Sequence, residues 1–256
     1  LFVDLGVFQP GTYRITLKKG NKKASYDYTI AERRKGSRER QSFDASDVIY
    51  LIMSDRFVDG DATNNSTANT REKADKSNVH GRFGGDIQGI INSFDHIAKL
   101  GCTAIWPTPM LGDDEAAWSY HGYACSDYYH IDPRYGSNEL FKTCVEECHK
   151  RDLKVIMDIV PNHSSTTHWW YNDLPFEDWV HKWDSYTQSN WTFSVNMDFN
   201  ASKSDLYQME SGWFDRSMAD MNLDNPYLLN YFKQWAVWWI EYSGLDGFRV
   251  DTYPYN

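Results

Sequence analysis

At 256 residues and a formal net charge of −10, the chain is long enough to bury a sizeable core and too acidic to suit a polyanionic partner, since nucleic-acid affinity rests largely on Lys and Arg neutralising phosphates. Aromatic residues make up 16% of it, with 11 Trp and 17 Tyr, a content that serves either a Trp-rich core or the stacking of rings on the apolar C–H faces of a neutral sugar. No run approaches the length of a membrane span, and no signal peptide is visible.

Leu1 to Ile30 alternates polar and apolar side chains, as in Thr12-Tyr13-Arg14-Ile15-Thr16-Leu17, with a Gly20-Asn21 turn before a second run from Ala24 to Ile30. This predicts a β-hairpin. A lone hairpin is marginal in water, so residues 1–44 are expected to be the end of an N-terminal β-sandwich module plus a charged linker, Glu32 to Ser42. From residue 45 the pattern changes. Val48 to Met53 reads as a buried strand, and Ile87 to Leu100 as one amphipathic helix with Ile90, Ile91, Phe94, Ile97 and Ala98 on one side. Ala104 to Trp106 follows as a strand, Asn138 to Arg151 as a helix and Lys154 to Val160 as a strand. Pro226 to Tyr242 is a helix and Gly247 to Val250 a fourth strand.

This alternation predicts an α/β fold with a parallel sheet and right-handed crossovers. A doubly wound sheet and a (β/α)8 TIM barrel both satisfy it, and no GxGxxG follows the first strand to favour a dinucleotide fold. Residues 161–225 form a long, Trp-rich insertion after the third strand, the kind of place where barrels build sites. Cys102, Cys125, Cys144 and Cys148 contain no CxxC pair, which argues against zinc. Cys144 and Cys148 stand one helical turn apart as neighbours on a face.

Polar residues gather where the proposed strands end. Asp158 lies inside the apolar run Val155-Ile156-Met157-Asp158-Ile159-Val160, where a buried carboxylate has to find partners. Arg249 and Asp251 are two apart and share a strand face. An Arg beside an Asp favours the ionised carboxylate, the form that attacks as a nucleophile.

Asp158-Ile159-Val160-Pro161-Asn162-His163 and Gly247-Phe248-Arg249-Val250-Asp251 resemble the third- and fourth-strand motifs of the alpha-amylase family of glycoside hydrolases, in the family's order and spacing. Ser119-Tyr120-His121-Gly122-Tyr123, with Asp127 to Gly136, resembles the segment after its second strand. The resemblance runs from about Asp47 to Asn256, and the leading hairpin is compatible with the β-module of neopullulanase-like members. It implies the first half, strands 1–4, of a catalytic TIM barrel with 161–225 as an inserted loop domain. The activity implied is retaining hydrolysis of α-glucosidic bonds in starch, maltodextrin or pullulan. Carried over residue by residue, Asp251 is the nucleophile and Arg249 holds it ionised. Tyr123 stacks under the sugar, His121 and His163 bond its hydroxyls, and Asp158 with Asn162 braces the site.

A further cluster, Asp59-Gly60-Asp61-Ala62-Thr63-Asn64-Asn65 with Gly84-Gly85-Asp86, offers oxygens of the kind Ca²⁺ takes, although such a run also reads as a solvated turn. It resembles the calcium loop of neopullulanase-like members, and the resemblance implies a structural Ca²⁺ held by Asp59, Asp61, Asn64, Asn65, Asp86 and the Gly84 carbonyl. There are departures. Pro254-Tyr255 stands where the family commonly has Lys-His, and Met218 to Asn222 matches no subgroup closely. The family's general-acid Glu lies on a later strand, so the 256-residue chain alone is expected to be inactive unless a C-terminal half of the barrel, or a partner chain, supplies it. The resemblance points to a bacterial periplasmic or extracellular location, on which the residues themselves are silent. The competing reading is a non-catalytic glucan-binding or assembly subunit; Asp251 and Arg249 speak against it, because a binder has no use for a poised nucleophile.

Overall fold

The computed structural model describes residues 8–255. The chain divides into two compact units with the boundary between Glu39 and Arg40. In the first, β1 (Gly11–Lys19) and β2 (Lys22–Ile30) pair antiparallel in unbroken register from Gly11↔Ile30 to Lys19↔Lys22. One face is a polar ladder: Arg14 grips Asp27 through two 2.7 Å hydrogen bonds, flanked by hydroxyl pairs Thr12–Thr29 and Thr16–Ser25. The other carries Tyr13, Ile15, Leu17, Tyr26 and Tyr28, of which Leu17, Tyr26 and Tyr28 are exposed. The part of the expected hairpin over residues 1–7 lies outside the described residues.

The second unit opens with β3 (Ile49–Ile52), α1 (Ile87–Asn92), α2 (Phe94–Lys99), β4 (Ala104–Pro107), β5 (Leu111–Gly112) and β6 (Asp127–Ile131). It continues with α3 (Asn138–His149), β7 (Lys154–Ile159), β8 (His163–Ser165), α4 (Phe193–Met197) and α5 (Lys203–Ser211). β9 (Met218–Asp220), α6 (Pro226–Ser243) and β10 (Gly247–Val250) complete it. The main sheet runs β10-β7-β4-β3 with every pair parallel. Each strand therefore neighbours the next parallel strand in chain order, without the reversal that marks a doubly wound sheet. This is the first half of a (β/α)8 barrel.

Strand residues Ile52, Ile105, Val155 and Met157 join helix residues Ile87, Ile90, Phe94, Ile97, Phe141, Val145, Trp235 and Trp239 in one core. Cys144 and Cys148 sit together in it as buried free thiols. The expected single helix from Ile87 to Leu100 is instead two short ones, broken at Ser93. Ser93 returns its hydroxyl to the Gly89 carbonyl at 2.8 Å, a bond that competes with the helix ladder. α6 starts on an Asn225 cap followed by Pro226 and stops at Gly244, whose φ of 81° suits glycine. The stretch read as a linker is partly anchored in the second unit, where Arg40 donates to the Leu245 carbonyl at 2.7 Å and Ser42 donates to that of Asp246.

The loop after β3 lies directly on α1. A Cβ on Gly89 would come within 1.9 Å of the Val58 carbonyl oxygen. Gly89→Ala is accordingly expected to lower stability by about 1–3 kcal/mol, the usual cost of overpacking a rigid contact. Thermal unfolding of wild type and variant checks this; an unchanged Tm would show that the loop yields freely.

Candidate active site

β10 pairs with β7 so that Arg249 lies opposite Asp158 and Val250 opposite Ile159. Side chains at paired positions of parallel neighbours point to one face, so Arg249 and Asp158 meet at the strands' C-terminal ends. The Asp251 amide donates to the Ile159 carbonyl at 2.9 Å, and Thr252, with a φ of 51°, turns the chain away. Arg249 Nη1 then bridges two carboxylates, donating to Asp158 Oδ1 at 3.0 Å and to Asp251 Oδ1 at 2.6 Å. Trp106, at the end of β4, donates its indole N–H to Asp158 Oδ2 at 2.9 Å, and the Tyr123 hydroxyl donates to the same oxygen at 3.2 Å. The Arg249 guanidinium faces the Trp106 ring 5.1 Å from its centre and the Tyr123 ring at 5.9 Å.

Burial pushes the Asp158 carboxyl above the usual carboxylate range, while the Trp106 and Arg249 hydrogen bonds pull it back. Burial opposes the charge of Arg249, yet its hydrogen bond to Asp158 and its attraction to both carboxylates outweigh that, and its pKa is raised. Two acids and one shared base thus hold each other in place. Burial and the neighbouring Asp158 raise the Tyr123 phenol, which stays a protonated donor.

Around this network the histidines play different parts. The Nδ1 of His121 accepts the Tyr123 backbone N–H at 2.9 Å, which puts the ring proton on Nε2. His163 is fully buried, with Nε2 3.2 Å from the Tyr123 carbonyl and Nδ1 3.2 Å from the Asn162 side-chain amide, and it stacks on Phe214 at 4.8 Å. As placed, both of its ring nitrogens are engaged within the protein, behind Tyr123.

Trp106 and Phe214 are site residues that the motif reading passed over; a Trp ending the second barrel strand was the available signal. So was Tyr255, read only as a departure, whose ring stacks on Trp191 at 5.3 Å and approaches Phe214 at 5.9 Å. The unmatched Met218 to Asn222 segment forms β9 opposite His163 and buries Asp220, pushed up to about 6 by burial and bonded by His181 Nδ1 at 2.7 Å.

The loop after β3 forms a separate polar cluster. Asp86 caps α1 and accepts from Gly89 N at 2.7 Å, Asp61 N at 2.8 Å, Gly60 N at 3.1 Å and the Asn64 amide at 3.2 Å. Asp61 is bonded by Thr63, and Asp59 Oδ2 accepts from Asn65 and Lys76. Gly84, at a φ of 90°, lets the Asn65 amide pass where a Cβ would meet it at 2.4 Å. Asp59 Oδ1, Asn64 Oδ1 and Asn65 Oδ1 are buried without a hydrogen-bond partner. Buried acceptors are rarely left so, and a hard cation takes this donor set. Among the described residues no three His, Cys, Asp or Glu side chains form a metal cluster; the loop's open oxygens are mostly amides.

Burial lowers His163 to about 4. Its ordinary value is about 6.5 in the unfolded chain, so neutral His163 contributes stability that is complete above that pH and lost as pH falls toward 4. The Tm difference between wild type and His163→Gln is therefore expected to be largest near pH 7 to 8 and to narrow near pH 5. A difference that does not change with pH would show that His163 is not held neutral.

Residues 51–256 match the alpha-amylase catalytic domain model. The chain is 32% identical over 209 residues to a beta/alpha-amylase of Paenibacillus polymyxa, covering 80% of this chain and 16% of that protein. It is also 32% identical over 207 residues to neopullulanase 2 of Thermoactinomyces vulgaris, covering 80% and 33%. The chain thus spans about a third or less of the length of these relatives. Among solved structures it resembles an Anoxybacillus alpha-amylase at a TM-score of 0.68 and 35% identity, over 82% of this chain and 41% of that one. The alpha-amylase of Geobacillus thermoleovorans, complexed with acarbose, superposes at a TM-score of 0.62 and 34% identity, over 82% and 40%. With its parallel half-barrel, its strand-end carboxylates and these matches, the chain belongs to the alpha-amylase family.

Proposed function

We propose that the chain carries the nucleophile side of a retaining glycosidase site that cleaves α-glucosidic bonds in starch, maltodextrin or pullulan. The observation that carries this is the Arg249 bridge between Asp158 and Asp251 at the ends of two adjacent barrel strands. The relatives' names, an amylase and a neopullulanase, and the acarbose bound to one structural neighbour support an α-glucan as substrate.

Asp251 attacks the anomeric carbon, the bond to the leaving oxygen breaks, and that oxygen takes a proton from a carboxylic acid. Water then cleaves the glycosyl–Asp251 ester while the same acid, now a carboxylate, takes the water's proton. Tyr123 offers its ring as a platform and His121 its Nε2–H for a sugar hydroxyl; Asp158 and Asn162 fix the geometry from below. Among the described residues no third carboxylate joins the Arg249 hydrogen bonds. A carboxylic acid on one of the further barrel strands pairing beyond β10, from the same polypeptide or a partner chain, would supply that proton. Apolar Val250 on β10, and Ile49 and Leu51 on β3, stand exposed at the two sheet edges where those strands would pack. The exposed apolar face of the leading hairpin likewise supports a β-sandwich module.

Ca²⁺ is proposed as a structural ion of the loop after β3, with Asp59, Asp61, Asn64, Asn65, Asp86 and the Gly84 carbonyl as its holders. The three unpartnered oxygens of Asp59, Asn64 and Asn65 support this. The ion would tie the β3 loop to the α1 cap without touching the reacting groups.

In the complete protein, Asp251→Asn is expected to lower kcat on maltooligosaccharides by several orders of magnitude while glucan binding survives, because the amide cannot attack the anomeric carbon. A variant keeping more than about a tenth of the wild-type rate removes Asp251 as nucleophile. EDTA is expected to lower the Tm, and added Ca²⁺ to restore it, since an ion bound to the native state stabilises it by mass action. No Tm change, together with no calcium in elemental analysis, refutes the ion.

A further inference from the structure

A surface cleft of about 200 Å³ in the insertion is lined by Trp183, Ser185, Tyr186, Thr187, Trp213 and Arg216. The catalytic assignment uses none of them. The cleft is built rather than accidental. Trp213 pairs with the 187–189 segment, its amide donating to the Thr187 carbonyl at 3.0 Å and its carbonyl accepting from Ser189 at 2.9 Å. Both indoles are pinned by their N–H groups, Trp213 to the His181 carbonyl at 2.8 Å and Trp183 to the Ser211 carbonyl at 3.0 Å. Their polar edges are therefore satisfied within the protein, so the rings line the cleft as fixed apolar surface. Arg216 lies over the Tyr186 ring at 4.3 Å. Among the described residues its guanidinium donates no hydrogen bond, so its N–H groups remain available to a ligand.

We propose that this cleft is a second glucan-binding site, distinct from the catalytic one and holding one or two glucosyl units of the polymer being cleaved. The proposal rests on the α-glucan reading of Asp251. Fixed aromatic rings beside the Arg216 guanidinium donors and the Ser185 and Thr187 hydroxyls suit a ring that is apolar on its faces and hydroxylated at its rim. Arg216, the one charged lining residue, stands next to Asp215 in the chain, so a neutral ligand fits better than an anion. The volume is below the roughly 300–1,000 Å³ of a pocket for a drug-sized molecule, which matches a short stretch of a longer chain. The cleft and the catalytic side are linked by one short segment of chain. Within it, Trp213 lines the cleft and its chain neighbour Phe214 stacks at 4.8 Å on His163, whose Nε2 lies 3.2 Å from the Tyr123 carbonyl.

The test uses the complete protein with Tyr186→Ala and Arg216→Ala, each residue lying off the catalytic network. Because Arg216 is exposed, its variant keeps the test usable if Tyr186→Ala loosens the insertion. In an Asp251→Asn background, retardation in native gels containing soluble starch measures binding. In the active background, kcat/KM on soluble starch is compared with that on p-nitrophenyl α-maltoside, too short to reach both sites. Both variants are expected to weaken starch retention and starch kcat/KM by about fivefold, the scale of one lost stacking contact, with the short substrate unaffected. Starch retention and kinetics equal to wild type would overturn the cleft and leave the catalytic reading standing. Equal losses on both substrates would also overturn it, by making these residues part of the catalytic site or of the fold. A wild-type protein that neither binds nor cleaves α-glucan would overturn both readings.

Discussion

Because β10 is held against β7 with Arg249 opposite Asp158, a single guanidinium reaches two carboxylates, and the rest of the site is arranged around that contact. A slip of one residue in this register would turn Arg249 to the other face of the sheet and leave Asp158 buried with only Trp106 and Tyr123 as donors. A buried carboxylate without its counter-charge is costly. The register therefore carries both a structural and a chemical requirement, and the parallel ladder that fixes it is continuous with the barrel core.

The aromatic content divides along the same line. Trp170, Trp235 and Trp239 are fully buried, and the last two both donate to the Tyr128 carbonyl, closing α6 onto β6. Trp183, Trp191, Trp213 and Phe214 belong to the insertion, and Tyr255, after β10, packs against Trp191 and Phe214. The Trp residues thus divide between a buried core and the surfaces of the insertion. Within the insertion, Trp183 and Trp213 each satisfy their indole N–H on a nearby carbonyl, so their rings can stand at the surface without an open polar group.

The β3 loop shows a similar division of labour. Asp86 spends its oxygens on backbone and amide donors and so organises the loop and the start of α1. Asp59, Asn64 and Asn65 each keep one oxygen buried and unpartnered. An Asp whose oxygens are taken by a helix cap and an Asp or Asn with an open oxygen look alike in a linear string of Asp, Asn and Gly. Only the donors around each oxygen separate them.

Much of the architecture was legible in the residues. Four short apolar runs with helical periodicity between them marked the strands to within a residue or two, and the two strand-end motifs named Asp158, Arg249 and Asp251 before any geometry was known. These are local signals: a strand's period, an Arg and an Asp two apart, a Pro after an Asn cap. What tertiary structure decided was everything that depends on neighbours distant in the chain. Strand order chose a half-barrel over a doubly wound sheet, although both have the same alternation. Ser93 broke one expected helix into two, because a side-chain bond to Gly89 outweighed an unbroken apolar stripe. Phe214 entered the site only through contacts across the fold, and the same kind of contact gave Trp106 and Tyr255 their partners there. Periodicity and motif spacing report on residues a few positions apart, whereas the partners that satisfy a buried carboxylate or pin a ring lie 28 to 91 residues away, and only the folded chain brings them within reach.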